Sequence, residues 1–324
     1  MTVLAPLLAA VISIAVIAWL LRSGKAALAL DHPNERSLHV RPVPRIGGIG
    51  IVLGALVPLT LAGIPRLVAV LAAALAVLSF LDDRRGLPIS ARFGAHLLSA
   101  AAVLPVAAPA LPVWAWLILV PALVWMTNLY NFMDGSDGLA GGMAFFGFGA
   151  YAVASFVAGD QAMGVAAAGI AAAAAGFLGF NQHPARVFMG DAGSIPLGFL
   201  AGTLGVLGWT RDLWPVWFPP MVFAPFVADA TVTLLRRMAR GERFWQAHRS
   251  HYYQRLVRLG WGHRRTAYTE YALMAFVAVT AVVCARLAPM VQAAAVALVV
   301  VVLAGLALQV DRAWAVHVRE GSPS

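Results

Sequence analysis

A chain of 324 residues that is 61% hydrophobic and 11% charged, with a mean hydropathy of +0.81, is no soluble globular domain. Its net charge of +9 belongs first to the loops of a membrane protein and second to an anionic substrate, so no nucleic-acid partner is expected. The single cysteine, Cys284, lies in an apolar run and excludes a disulfide framework and a cysteine metal site.

Apolar runs predict eleven membrane helices, at 2–21, 46–64, 66–81, 94–109, 112–129, 139–158, 162–180, 195–209, 214–236, 267–286 and 290–310. The first run has no basic segment before it and reads as a retained helix, not a cleaved signal. Eleven spans put the termini on opposite sides. The loops near 22–45, 82–93, 129–138, 181–194 and 237–266, with the tail after 310, then share one side. With the helix-end Arg236 counted in, they hold all 23 Lys and Arg except Arg66, Arg211 and Arg286. That asymmetry predicts a cytoplasmic face for these loops, a periplasmic N-terminus and a cytoplasmic C-terminus. The expected fold is an all-α polytopic membrane protein, a single domain over 1–324.

The unusual polar residues fall in those same loops. The first reads Asp31-His-Pro-Asn-Glu-Arg-Ser-Leu-His39, then Arg41-Pro-Val-Pro-Arg-Ile-Gly-Gly48. Arg36, His39, Arg41 and Arg45 suit phosphate. Gly47-Gly48 is either a helix start with free N–H groups for an anion or merely the end of a basic loop. Asp82-Asp83 sits at the C-terminal end of a span, where both carboxylates oppose the helix dipole and each other. A bound cation or a nearby Arg would relieve that.

The stretch Asn128 to Gly141 carries Asn128, Asn131, Asp134 and Asp137 at every third residue, which on a helix form one broad face. Carboxylates, amides and glycines together suit a cation and a phosphorylated ligand. Asp137 or Ser136 as an N-cap of the next helix is the plainer alternative for one of them. In the 181–194 loop, Gly190-Asp191-Ala-Gly-Ser194 precedes a helix, so Asp191 is a metal ligand or, with Ser194, a cap. Magnesium takes about six oxygens, one or two of them carboxylates beside substrate phosphates. Five Asp exceed that need, so some do other work. In the last loop, His248, His251 and Arg255 fall on one face of an expected helix, with Phe244, Trp245 and Tyr252 on the other. His-x-x-His without a neighbouring Glu is poor evidence for zinc.

These motifs resemble the polyprenyl-phosphate N-acetylhexosamine-1-phosphate transferases. The likeness rests on Pro33-Asn-Glu-Arg-Ser-Leu-His39 with Pro42 to Gly48, on Asp82-Asp83, on Asn128 to Gly141, on Phe188-Met-Gly-Asp-Ala-Gly-Ser194 and on His248-Arg-Ser-His-Tyr-Tyr-Gln254. They run in the family's order from about residue 31 to 255. The resemblance implies transfer of a sugar 1-phosphate from a UDP-N-acetylhexosamine, or a deoxy relative, to polyprenyl (undecaprenyl) phosphate, with UMP leaving. It implies magnesium, with manganese as an alternative ion. It implies Asp191 and Asp134 at the metal, and Asp82, Asp83, His248 and His251 as the catalytic set. Asn128, Asn131, Asp134, Asp137, Phe188, Arg36, Arg45, Arg249 and Arg255 would hold substrate, with Phe188 on uracil. Bacterial inner-membrane placement follows, and a homodimer is allowed. His248-Arg-Ser-His251 replaces the triple His of the peptidoglycan branch and resembles the branch that starts O-antigen or other surface polysaccharides. An ion-coupled transporter is the rival class, because carboxylates at membrane edges and broken helices are its marks too.

Overall fold

The computed structural model describes residues 4–25, 29–31, 33, 38, 41–243, 246 and 248–321. The helices are α1 (Ala5–Arg22), α2 (Gly47–Leu61), α3 (Arg66–Arg85), α4 (Ile89–Ala107), α5 (Trp116–Phe132), α6 (Leu139–Ala158), α7 (Gln161–Asn181), α8 (Asp191–Thr210), α9 (Phe218–Val222), α10 (Ala224–Ala239), α11 (Tyr252–Leu256), α12 (Gly262–Cys284) and α13 (Pro289–Arg319). A two-residue antiparallel pair, β1 (Leu30–Asp31) with β2 (Val43–Pro44), is the one departure from all-α among the described residues. Its register sets Leu30 opposite Pro44 and Asp31 opposite Val43.

The chain is an α-helical membrane protein. Among the described residues, 8 helices are long and apolar enough to cross a bilayer. The other predicted spans fall on α2, on α3 with its charged end Asp82 to Arg85, and on α9 with α10. The span expected at 214–236 is broken. Phe223 leaves helical geometry (φ −96°, ψ 14°) between α9 and α10. Pro219, Pro220 and Pro225 remove N–H donors there and disfavour helix at the preceding residue.

Small residues set the packing. α7 lies against α1, α2 and α6, with Gly169 against Pro58 and Gly176 against the Ala10 carbonyl. Backbones approach closely where no side chain intervenes. α8 is the central helix, touching α2, α3, α4, α5, α6 and α9. Its first turn meets the first turn of α2. A Cβ on Gly48 would strike the backbone of Ala192 and Gly193. Gly47 N–H donates to the Phe188 carbonyl and Gly48 N–H to the Met189 carbonyl, both at 2.9 Å. These N–H groups are therefore not open to an anion, which corrects one reading of Gly47-Gly48.

Gly48→Ala should lower the melting temperature in detergent. Both obstacles are backbone, so the cost is that of overpacking, about 1–3 kcal/mol. An unchanged melting temperature would show that α2 and α8 can separate freely.

Candidate active site

The loops after α1, α3, α5, α7 and α10 converge at one end of the bundle. Their side chains enclose a polar cavity of about 360 Å³, lined among others by Arg45, Asn131, Asp134, Asp137, Phe188, Asp191 and Tyr253. An apolar groove of about 520 Å³ runs beside it between α3, α4, α5, α8 and α10. Asn131, Phe132 and Asp191 line both. A polar chamber and an apolar groove thus share one wall.

The floor is a knot of carboxylates around Gly190. Gly190 (φ 71°) takes a left-handed conformation before α8, with Asp83 and Arg45 against it. Asp191 is the first residue of α8, not a loop residue as expected, and no side chain caps that helix. A carboxylate is favoured there by the helix dipole. Asn131, Asp134 and Asp191 line the polar cavity beside Gly190. Ser194 Oγ donates to Asn131 Oδ1 at 2.8 Å, which orients that amide. Burial first, and the charge on Asp191 next, push the Asp134 carboxyl well above its usual range. Arg45 opposes this. It pairs with Asp31 at 2.8 Å and faces Asp83 at 3.8 Å.

The adjacent pair Asp82-Asp83 is split between the two cavities. Asp82 faces the groove, accepting from Leu87 N–H at 2.6 Å and from Arg92 Nη1 at 3.0 Å. Asp83 faces Arg45 and the knot. Asn128 lines the groove and donates to the Val124 carbonyl at 2.7 Å. The expected single helical face is not formed. α5 ends at Phe132, so Asp134 and Asp137 lie in the following loop. Asp137 does not cap α6 either, because Gly138 holds that position. Asp137 Oδ2 accepts from His183 Nδ1 at 2.6 Å and from Ala185 N–H at 3.2 Å. Phe188 lines the polar cavity.

The His/Arg segment departs from expectation. No helix includes His248 or His251; α11 begins only at Tyr252, so these residues share no helical face with Arg255. Neither histidine lines the polar cavity, whereas Tyr253 and Gln254 do. His251 lies behind Phe132, rings stacked at 6.5 Å, with Nδ1 3.0 Å from Asp229 Oδ1. Its ring centroid is 4.8 Å from that of His248. Arg255 turns away to Asp311 of α13 (2.9 Å), which also takes Arg236 at 2.6 Å. The Arg249 carbonyl receives Arg258 at 3.5 Å, and its side chain is not on the cavity wall. Arg36, with His39, Phe244 and Trp245, lies outside the described residues.

Sequence reasoning missed Arg92, Asn181, His183, His263 and Asp229. Asn181 Oδ1 accepts from Gly138 N–H, and its amide donates to the Val187 carbonyl, both at 2.9 Å. His263 bridges Ser136 Oγ (2.9 Å) and the Leu38 carbonyl (3.1 Å). Arg92 carried a readable signal, a charge just beyond the Gly86-Leu87-Pro88 turn after the Asp pair. The others are lone polar residues without a pattern.

Among the described residues, no three His, Cys, Asp or Glu side chains gather tightly enough to hold a metal unaided. A magnesium site completed by substrate phosphates needs only one or two carboxylates. Excess buried negative charge around Gly190 suits such an ion.

The glycosyl transferase family 4 profile matches residues 66–208. A probable undecaprenyl-phosphate N-acetylglucosaminyl 1-phosphate transferase of Bacillus subtilis is 28% identical over 275 residues, covering 79% of this chain and 77% of that one. A decaprenyl-phosphate N-acetylglucosaminephosphotransferase of Mycobacterium tuberculosis is 29% identical over 332 residues, covering 86% and 81%. A phospho-N-acetylmuramoyl-pentapeptide-transferase of Heliobacterium modesticaldum is 36% identical over 154 residues, covering 46% of each.

Burial, with the nearby charges of His251 and Arg237, pushes His248 down to about 4. The unfolded imidazole titrates near 6.5. Below that pH the unfolded chain takes a proton that the folded one refuses, so stability falls from about pH 6.5 toward 4 and is unaffected above. His248→Gln should lose less melting temperature than wild type between pH 7.5 and 5. Equal losses would show that His248 is protonated freely in the folded protein.

Proposed function

We propose that this chain, which belongs to the glycosyl transferase family 4 superfamily, transfers a sugar 1-phosphate from a UDP-N-acetylhexosamine to a polyprenyl phosphate. The observation that carries this reading is the shared wall. A nucleotide sugar suits the polar cavity, an isoprenoid suits the apolar groove, and Asn131 and Asp191 stand between them. The lipid phosphate oxygen forms a bond to the donor's β-phosphorus, the bond to the α-phosphate oxygen breaks, and UMP leaves.

Phosphoryl transfer asks the protein mainly for positioning and charge neutralisation. Asp134 and Asp191 are the residues that would hold magnesium, which when bound neutralises donor diphosphate oxygens. Arg45, paired with Asp31 and facing Asp83, is the cation on the same cavity wall among the described residues. Asp82 holds Arg92 at the groove end, where a lipid phosphate would arrive. A phosphate monoester has a second pKa near 6, so the acceptor is mostly dianionic at neutral pH and a dedicated base gains little. Asp82 and Asp83 therefore position charge more than they take protons. Phe188, Asp137 and Asn131 bound the donor side. The His248-Arg-Ser-His251 sequence favours a surface-polysaccharide initiator over the muramyl-pentapeptide branch. The basic-loop asymmetry supports a site open to the cytoplasm. The transporter reading is not favoured, because the carboxylates gather at loop ends and not at the bilayer midplane.

Purified protein given radiolabelled UDP-N-acetylhexosamines, polyprenyl phosphate and Mg²⁺ should yield an organic-extractable sugar and stoichiometric UMP. No lipid product from any donor, or efficient use of UDP-muramyl pentapeptide, would overturn the reading or its branch. Asp191→Asn should cut turnover about 100- to 1,000-fold, the scale of losing one charge-stabilising group. Asp82→Ala should raise the acceptor KM and leave the donor KM unchanged; the reverse pattern would assign Asp82 to the donor.

A further inference from the structure

The segment between α10 and α12 crosses the rim of the polar cavity. Among its described residues helix begins only at Tyr252, with the five-residue α11 followed by a π-helical stretch, Val257–Trp261. Yet it supplies Tyr253 and Gln254 to the cavity wall. What holds it is a carboxylate in α10 that the transfer chemistry above leaves unused.

Asp229 is 7% exposed. Its Oδ1 accepts from His251 Nδ1 at 3.0 Å, from Tyr252 N–H at 3.0 Å and from Thr233 Oγ at 3.1 Å. Its Oδ2 accepts from Tyr253 N–H at 3.1 Å. Two of these donors are the first N–H groups of α11, which no intrahelical carbonyl can satisfy. Gln254 Oε1 adds a bond from His251 N–H at 3.1 Å. The contacts then run on toward the floor. The buried Tyr253 hydroxyl donates to the Phe132 carbonyl at 3.3 Å and lies against Gly135, where a Cβ would collide with it. Phe132 stands where cavity and groove meet, and Gly135 follows Asp134 directly. A buried carboxylate is costly unless it makes such bonds, and an apolar residue would serve packing alone.

We propose that Asp229 is a positioning residue of the transferase: from α10 it fixes His251 and the start of α11, and through Tyr253 it sets Phe132 and the Asp134 loop. This rests on the transferase reading of the site. Charge-assisted bonds to several donors give the rigidity that this requires. Displacing the wall by about 1 Å is enough to cost about 100-fold in turnover.

The test uses full-length protein in detergent with Asp229→Asn, Tyr253→Phe and the double variant. Asp229→Asn should lower kcat about 100-fold. In the Tyr253→Phe background the same change should cost much less, because both act on one wall. The melting temperature should stay close to wild type. Independent, multiplicative losses would overturn the proposal, as would a kcat that merely tracks the folded fraction. Trypsin supplies an activity-free readout: cleavage after the buried Arg255 should run about tenfold faster in Asp229→Asn, as its lost charged bond frees the segment. Equal cleavage rates would overturn the latch. A wild-type protein that makes no lipid product sinks the transferase reading alone and leaves this readout standing.

Discussion

Three carboxylates, Asp83, Asp134 and Asp191, are forced together around Gly190, and the site depends on how their repulsion is contained. Asp83 and Arg45 lie against Gly190, and Asp134, Asp191 and Asn131 share the cavity wall beside it. Arg45 faces all three. Burial makes unneutralised charge here expensive, as the raised Asp134 carboxyl records. In the proposed reaction, a cation arriving with an anionic substrate would relieve that cost.

The knot also explains the packing beneath it. α8 brings Asp191 inward on its first turn only because α2 approaches without side chains at Gly47 and Gly48. The Phe188 and Met189 carbonyls are consumed by α2, which pins the loop and leaves Phe188 on the cavity wall. Stability and function meet in the same few residues, and the central helix cannot shift without moving the floor.

Opposite the floor, the wall segment is held from two sides by carboxylates of α10 and α13. Asp229 takes its backbone and His251, while Asp311 takes Arg255, Arg236 and the Tyr252 hydroxyl. The basic character of this loop is thus spent partly on anchoring. Arg255 serves the joint with α13, and among the described residues Arg45 is the arginine on the polar cavity wall.

The sequence by itself determined what local physics decides. Long apolar runs marked the membrane helices, and charge asymmetry sorted the loops. Clustered Asp and Asn in those loops singled out Asp82, Asp83, Asn131, Asp134 and Asp191 as candidates. Such signals are short-range: length, composition and spacing carry them. Tertiary structure alone decided which oxygen faces which ligand. Asp82 and Asp83 are neighbours in the chain yet look into different cavities, because Arg92 draws one and the knot draws the other. His251 and Arg255 are claimed by Asp229 and Asp311 from helices that are 22 and 56 residues away in sequence, and no periodicity records that. The break at Phe223 was written in the prolines, but its purpose was not. It starts α10 afresh, and only the folded chain brings that helix's one carboxylate under the wall of the site.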